Sequence, residues 1–93
     1  MSYTDPGTKI AKVTDFSVTF TSVTPVALDS HACKRMLVSA YSTNSSGVNI
    51  GSETSQNTIL AAGDRVEMFV DRSDYVYAYG ASGDTISALL FNR

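Results

Sequence analysis

The sequence predicts an all-β domain, a small antiparallel β-sandwich or β-barrel of seven to eight short strands. Three observations carry that prediction. Apolar residues alternate with polar ones in short runs, as in Phe16, Val18 and Phe20 against Ser17, Thr19 and Thr21, and alternate positions of a strand share a face. Clusters of Gly, Ser, Asn and Asp bound each run, the punctuation of a chain that turns often. Ser and Thr supply about a quarter of the residues, with Val, Ile, Tyr and Phe providing most of the bulk. Such residues suit a pleated, half-buried surface, and the long Ala, Leu, Glu and Lys runs of helices are missing.

Residues 1–8 are polar and contain Pro6-Gly7, which reads as an N-terminal arm; residues 9–93 read as one domain. Lys9 to Val13 is a short edge strand whose lysines blunt the edge. Asp15 precedes the alternation from Phe16 to Phe20, which Val23 continues. Pro25 removes an amide donor and restricts the residue before it, so the chain bends there before a short strand, Val26 to Leu28. Asp29 to Ala32 is a turn, or one helical turn at most. Met36 to Tyr41 is a strand with Met36, Val38 and Ala40 on one face and Leu37, Ser39 and Tyr41 on the other. Asn44 to Gly47 turns the chain into Val48-Asn49-Ile50, and a polar surface excursion runs from Gly51 to Asn57. Thr58-Ile59-Leu60 is brief. Ala61 to Asp64 turns into Val66 to Val70, and Asp71 to Asp74 turns again.

The last segment organises the prediction. Tyr75, Val76, Tyr77, Ala78 and Tyr79, then the cluster from Gly80 to Asp84, then Thr85 to Phe91, have the pattern of an antiparallel hairpin. Tyr75, Tyr77 and Tyr79 fall at period two and form a stripe. Ala88 to Phe91 is apolar on both faces, so this strand is either central in a sandwich or pressed against another subunit. Tyr75, Tyr77, Tyr79, Leu89 and Phe91 are therefore the candidate partner-interface residues.

Composition narrows the function classes. The net charge of −2 is scattered, which disfavours nucleic acid. No apolar run approaches the roughly 18 residues of a membrane span, and Met1 to Gly7 does not read as a signal peptide. Cys33 is the only cysteine, so no disulfide framework is available.

Catalytic and metal chemistry find little to build on. His31 and Cys33, with Asp29 nearby, are the obvious ligand types, but the chain has one His and one Cys, short of a zinc set. A Ser-His-Asp triad is defined by geometry, and no Gly-x-Ser-x-Gly segment is present. Asp71, Asp74 and Asp84 sit on turns, where side-chain hydrogen bonds to backbone are their ordinary work. The tyrosine stripe suits a cross-strand ladder or an oligomer contact; stacking on sugar rings is the alternative. The expectation is no enzyme, no metal and no cofactor.

The chain also resembles the small β-sandwich structural proteins of tailed bacteriophage virions, of the capsid decoration (cement) type. The resemblance rests on Val38-Ser39-Ala40 with Thr43-Asn44, the return Gly47 to Gly51, Leu60 to Asp64 leading into Val66, Val70-Asp71, and Tyr75-Val76-Tyr77 with Gly83-Asp84. Phe16 to Leu28 adds to it. It is a likeness of pattern and turn placement over about three quarters of the chain, and Met1 to Gly7 departs from it. It implies a homo-oligomer, a trimer first of all, on the capsid exterior, with the major capsid protein as partner. The alternative it implies is a tail- or neck-associated binding module, using the tyrosine stripe on carbohydrate.

Overall fold

A computed structural model describes residues 13–92. The predicted arm of residues 1–8 lies outside the described residues, as does the Lys9–Val13 edge strand apart from Val13 itself. The described residues form eight strands, β1 (Val13–Thr19), β2 (Val26–Ala27), β3 (Arg35–Ala40), β4 (Val48–Gly51), β5 (Thr58–Leu60), β6 (Arg65–Met68), β7 (Tyr77–Tyr79) and β8 (Thr85–Phe91), with one 3-10 turn at Ser73–Tyr75.

The strands build two antiparallel four-stranded sheets. Sheet I has the order β1-β8-β3-β6 and sheet II the order β2-β7-β4-β5. Period-two alternation is what allows this. In β3, Met36, Val38 and Ala40 are buried while Arg35, Leu37 and Ser39 are half-buried on the outside; β8 buries Ile86, Ala88 and Leu90 in the same way. Sheet II contributes Val48, Ile50, Leu60 and Ala78 from its inner face, and all these residues form one core with Phe20, Leu28, Cys33 and Val76.

The pairings nest: β1 with β8, β2 with β7, β3 with β6, β4 with β5. Only β4 and β5 are consecutive strands within one sheet; every other connection passes from one sheet to the other. That is the winding of a jelly roll, a sandwich made from a long hairpin rolled upon itself.

This winding corrects the expected hairpin from Tyr75 to Phe91. β7 pairs with β2 and β4 in sheet II, whereas β8 pairs with β1 and β3 in sheet I. The Gly80–Asp84 turn is an arch over the end of the core, so the two runs face each other across it rather than lying side by side. The turn at Asn44–Gly47 is a second arch, between β3 in sheet I and β4 in sheet II.

Smaller differences have local causes. β1 ends at Thr19, and the continuation to Val23 is absent: Phe20 is buried, with its N–H donating to the carbonyl of Asp84 at 2.9 Å and its own carbonyl accepting from Gly83 at 2.8 Å. β6 stops at Met68, leaving Phe69 79% exposed. Tyr75 falls in the 3-10 turn, because Ser73 is pulled inward: its amide donates to the carbonyl of His31 at 2.9 Å, and its hydroxyl accepts the His31 amide at 2.9 Å and donates to the carbonyl of Asp29.

Candidate interaction faces

Sheet I turns β8 outward through Thr85, Ser87, Leu89 and Phe91. β8 is a central strand, so these side chains have neighbours on both sides. Leu89 lies between Asp15 of β1 and Leu37 of β3, and Phe91 lies beside Arg35. The Arg35 guanidinium carbon sits 4.5 Å from the centre of the Phe91 ring, a cation–π contact worth about 0.5–1 kcal/mol when exposed. One nitrogen of Arg35 is 3.6 Å from the carboxylate of Glu67 on the neighbouring strand β6. The result is a half-buried apolar patch of Leu37, Leu89 and Phe91, crossed by one cation and rimmed by Asp15 and Glu67.

Sheet II turns Tyr77 and Tyr79 outward while Ala78 between them is fully buried. Tyr77 stands between Ala27 and Gly51, and Tyr79 adjoins Asn49, which in turn pairs with Ile59. Ile59 is 64% exposed and folds over Gly47, where an added Cβ would lie 2.7 Å from its Cγ2. Gly51 is needed for room: a Cβ there would meet the Ser55 carbonyl oxygen at 2.1 Å, because the loop from Ser52 to Gln56 closes against it.

The five candidate residues are thus divided. Leu89 and Phe91 share the outside of sheet I, Tyr77 and Tyr79 share the outside of sheet II, and the core lies between. Tyr75, on the 3-10 turn and 60% exposed, belongs to neither face. It borders an apolar slot of about 380 Å³ between the sheet edges, lined by Ile50, Val66, Met68, Val70 and Val76. The five residues therefore do not share one face of the sandwich. Arg35 and Leu37 complete the sheet I patch. The alternation in the sequence groups Leu37 with Ser39 on one face, whereas Arg35 precedes the apolar run that marks β3 and gives no pattern of its own.

The lone imidazole lies in a groove of about 410 Å³ lined by Thr14, His31, Cys33, Lys34, Asp71 and Asn92. The His31 ring packs against Phe16 with centroids 5.5 Å apart. Cys33 is buried, its thiol donates to the Val70 carbonyl at 3.2 Å, and burial, with Asp71 nearby, pushes its pKa up. A thiol held protonated is not the thiolate that nucleophilic or ligand chemistry uses. Among the described residues no group of three or more His, Cys, Asp or Glu side chains is placed to hold a metal ion.

Asp84 caps turns, as its position in the sequence suggested. The amides of Ser45 and Ser46 and both hydroxyls donate to its carboxylate. These bonds, the Ser45 amide first, hold its pKa below the ordinary value against the opposing effect of burial.

No family model matches the chain, and no curated protein matches it closely enough to count as a relative.

Proposed function

We propose that this protein is a structural component of a tailed-phage virion, a capsid decoration (cement) protein that bridges neighbouring capsid subunits and stabilises the shell. The observation that supports this reading is the placement of apolar side chains on both outer faces of one rigid sandwich: Leu37, Leu89 and Phe91 on sheet I, Tyr77, Tyr79 and Ile59 on sheet II. A bridge needs two surfaces held at a fixed separation, and a jelly-roll core between them supplies that. Jelly rolls recur in capsid proteins and in lectins, although a fold alone does not assign a role. Many identical weak contacts on a repeated lattice add up through avidity. The partner on this reading is the major capsid protein and the place is the capsid exterior. The protein associates with itself, the trimer being the form the phage resemblance implies.

The test is co-sedimentation of the purified protein with emptied capsids of its phage. Saturable binding that Leu89→Asp and Tyr77→Asp each weaken is expected. A protein that never sediments with shells, and leaves their resistance to heat unchanged, would sink the reading.

A second reading, a tail- or neck-associated carbohydrate-binding module, is favoured by one feature. Tyr77 and Tyr79 share the outer face of sheet II, with the Asn49 side chain on the adjoining row. Aromatic rings with adjacent amides suit sugar rings. A glycan array with Tyr77→Ala as control decides it: no hits would remove it.

A further inference from the structure

Strand β6 is an edge of sheet I and reads Arg65, Val66, Glu67, Met68. It pairs with β3 alone among the described residues. The phase of that pairing is set where the Ala40 amide donates to the Asp64 carbonyl at 2.8 Å. Antiparallel ladders alternate bonded and unbonded positions, so Val66 and Met68, in phase with Asp64, turn their N–H and C=O groups toward β3. Arg65 and Glu67 turn theirs away from the sheet, and their side chains are exposed on its outer side. An unpaired row of this kind is a template for another strand.

We propose that a second copy of this chain supplies that strand, running antiparallel about a two-fold axis at Val66. In that register Arg65 of each copy stands opposite Glu67 of the other. Both are outward-bonding positions, so each opposed pair can exchange two N–H···O=C bonds, and each sets a cation against an anion. The neighbouring registers of the same phase centre on Arg65 or on Glu67 and oppose that residue to itself, which like charge disfavours. Charge therefore selects one alignment. It also brings the 79% exposed Phe69 toward Gly63 of the second copy, a turn glycine around whose missing side chain there is open space. The other edges fit worse: β2 has two residues and β5 three, and β1 carries Asp15 with no cation on the strand.

The contact joins two copies of sheet I into one continuous sheet and is isologous. It rests on one four-residue strand from each copy, a small contact that is weak in dilute solution and gains from repetition on a lattice. It does not rest on the capsid role, and a three-fold contact would use a different surface.

The test is sedimentation equilibrium of the full chain with increasing concentration, joined to hydrogen exchange at single amides. A monomer–dimer equilibrium is expected, with Arg65 and Glu67 amides gaining protection as concentration rises. Arg65→Glu and Glu67→Arg should each weaken the dimer by roughly tenfold or more. Mixing these two variants should restore association, since one then presents only anions and the other only cations. A single-chain mass up to the limit of solubility with unchanged exchange overturns the proposal. So does an oligomer, of whatever size, that neither charge reversal weakens, even if that oligomer binds shells. A charge-sensitive dimer that ignores shells upholds this contact and removes the capsid reading. Thermal melts of each variant confirm that the fold is intact.

Discussion

Ser45 donates both its backbone N–H, at 2.8 Å, and its hydroxyl, at 3.1 Å, to the same oxygen of Asp84. Around this pair the Asn44 side chain accepts from the Thr85 amide at 2.8 Å and donates to the Thr85 carbonyl at 2.9 Å. The β3–β4 arch and the β7–β8 arch are thereby tied together at one end of the sandwich, and Phe20, leaving β1, is bonded to the same point. A jelly roll has many sheet-to-sheet crossings and few hairpins, so its arches need fixed partners of this kind.

Asp84→Ala should lower the melting temperature by several degrees, because the Ser45 and Ser46 amides lose their acceptor. Asp84→Asn, which keeps one acceptor oxygen, should lower it less. The pH dependence has a definite sign. The carboxyl is held below its ordinary 3.8 in the folded state, so its stabilisation is complete above about pH 4 and is lost as pH falls through the folded value. Urea melts from neutral to acid should show that decline in the wild type and less of it in Asp84→Asn. Equal slopes would mean that the carboxylate charge does not matter.

Gly51→Ala should destabilise the domain by about 1–3 kcal/mol or more, because the new methyl would meet backbone atoms of Ser55 at 2.1 Å and Gln56 at 2.7 Å. Flexible side chains can step aside, whereas backbone cannot do so cheaply. A chemical-denaturation midpoint unchanged from wild type would show that the loop from Ser52 to Gln56 does not close against Gly51.

Leu90 and Leu89 are neighbours with opposite fates. Leu90 is in the core, so Leu90→Ala should cost about 2–5 kcal/mol. Leu89 faces outward between Asp15 and Leu37, so Leu89→Ala should cost about 1 kcal/mol or less in the isolated protein. Denaturation curves of the two variants check the facing of β8: equal losses would contradict it.

Cys33 should resist thiol reagents in the folded protein. It is buried and its pKa is raised, first by burial. Labelling by an alkylating agent should be slow in buffer and rapid in denaturant. Fast labelling of the native protein would show that the groove beside His31 opens to the thiol.

The strands themselves were open to reading from the chain. The run from Thr85 to Phe91 has the same bounds in the sequence pattern as β8 has in the structure, and period two puts Met36, Val38 and Ala40 on one face, which the structure buries. Side-chain alternation is a local property: whichever sheet a strand joins, burying one face demands the same period. The doubly apolar end of β8 likewise marks a central strand, with β1 on one side and β3 on the other. Arg35 leaves no local signal, because its place over Phe91 depends on a pairing between residues far apart in the chain.

Pairing is where local pattern stops. The Gly80–Asp84 cluster suits a hairpin and an arch equally, since both reverse the chain and both leave Val76 and Ala78 on one side and Ile86, Ala88 and Leu90 on one side. Whether those two sides lie within one sheet or meet across the core depends on which other strands compete for the edges. β2 and β4 take the edges of β7, and β1 and β3 take those of β8. The same competition puts Tyr77 and Tyr79 on the side of the molecule opposite the Leu89–Phe91 patch. The alternation of residues could make each face apolar; only the packing of remote strands could decide where each face points.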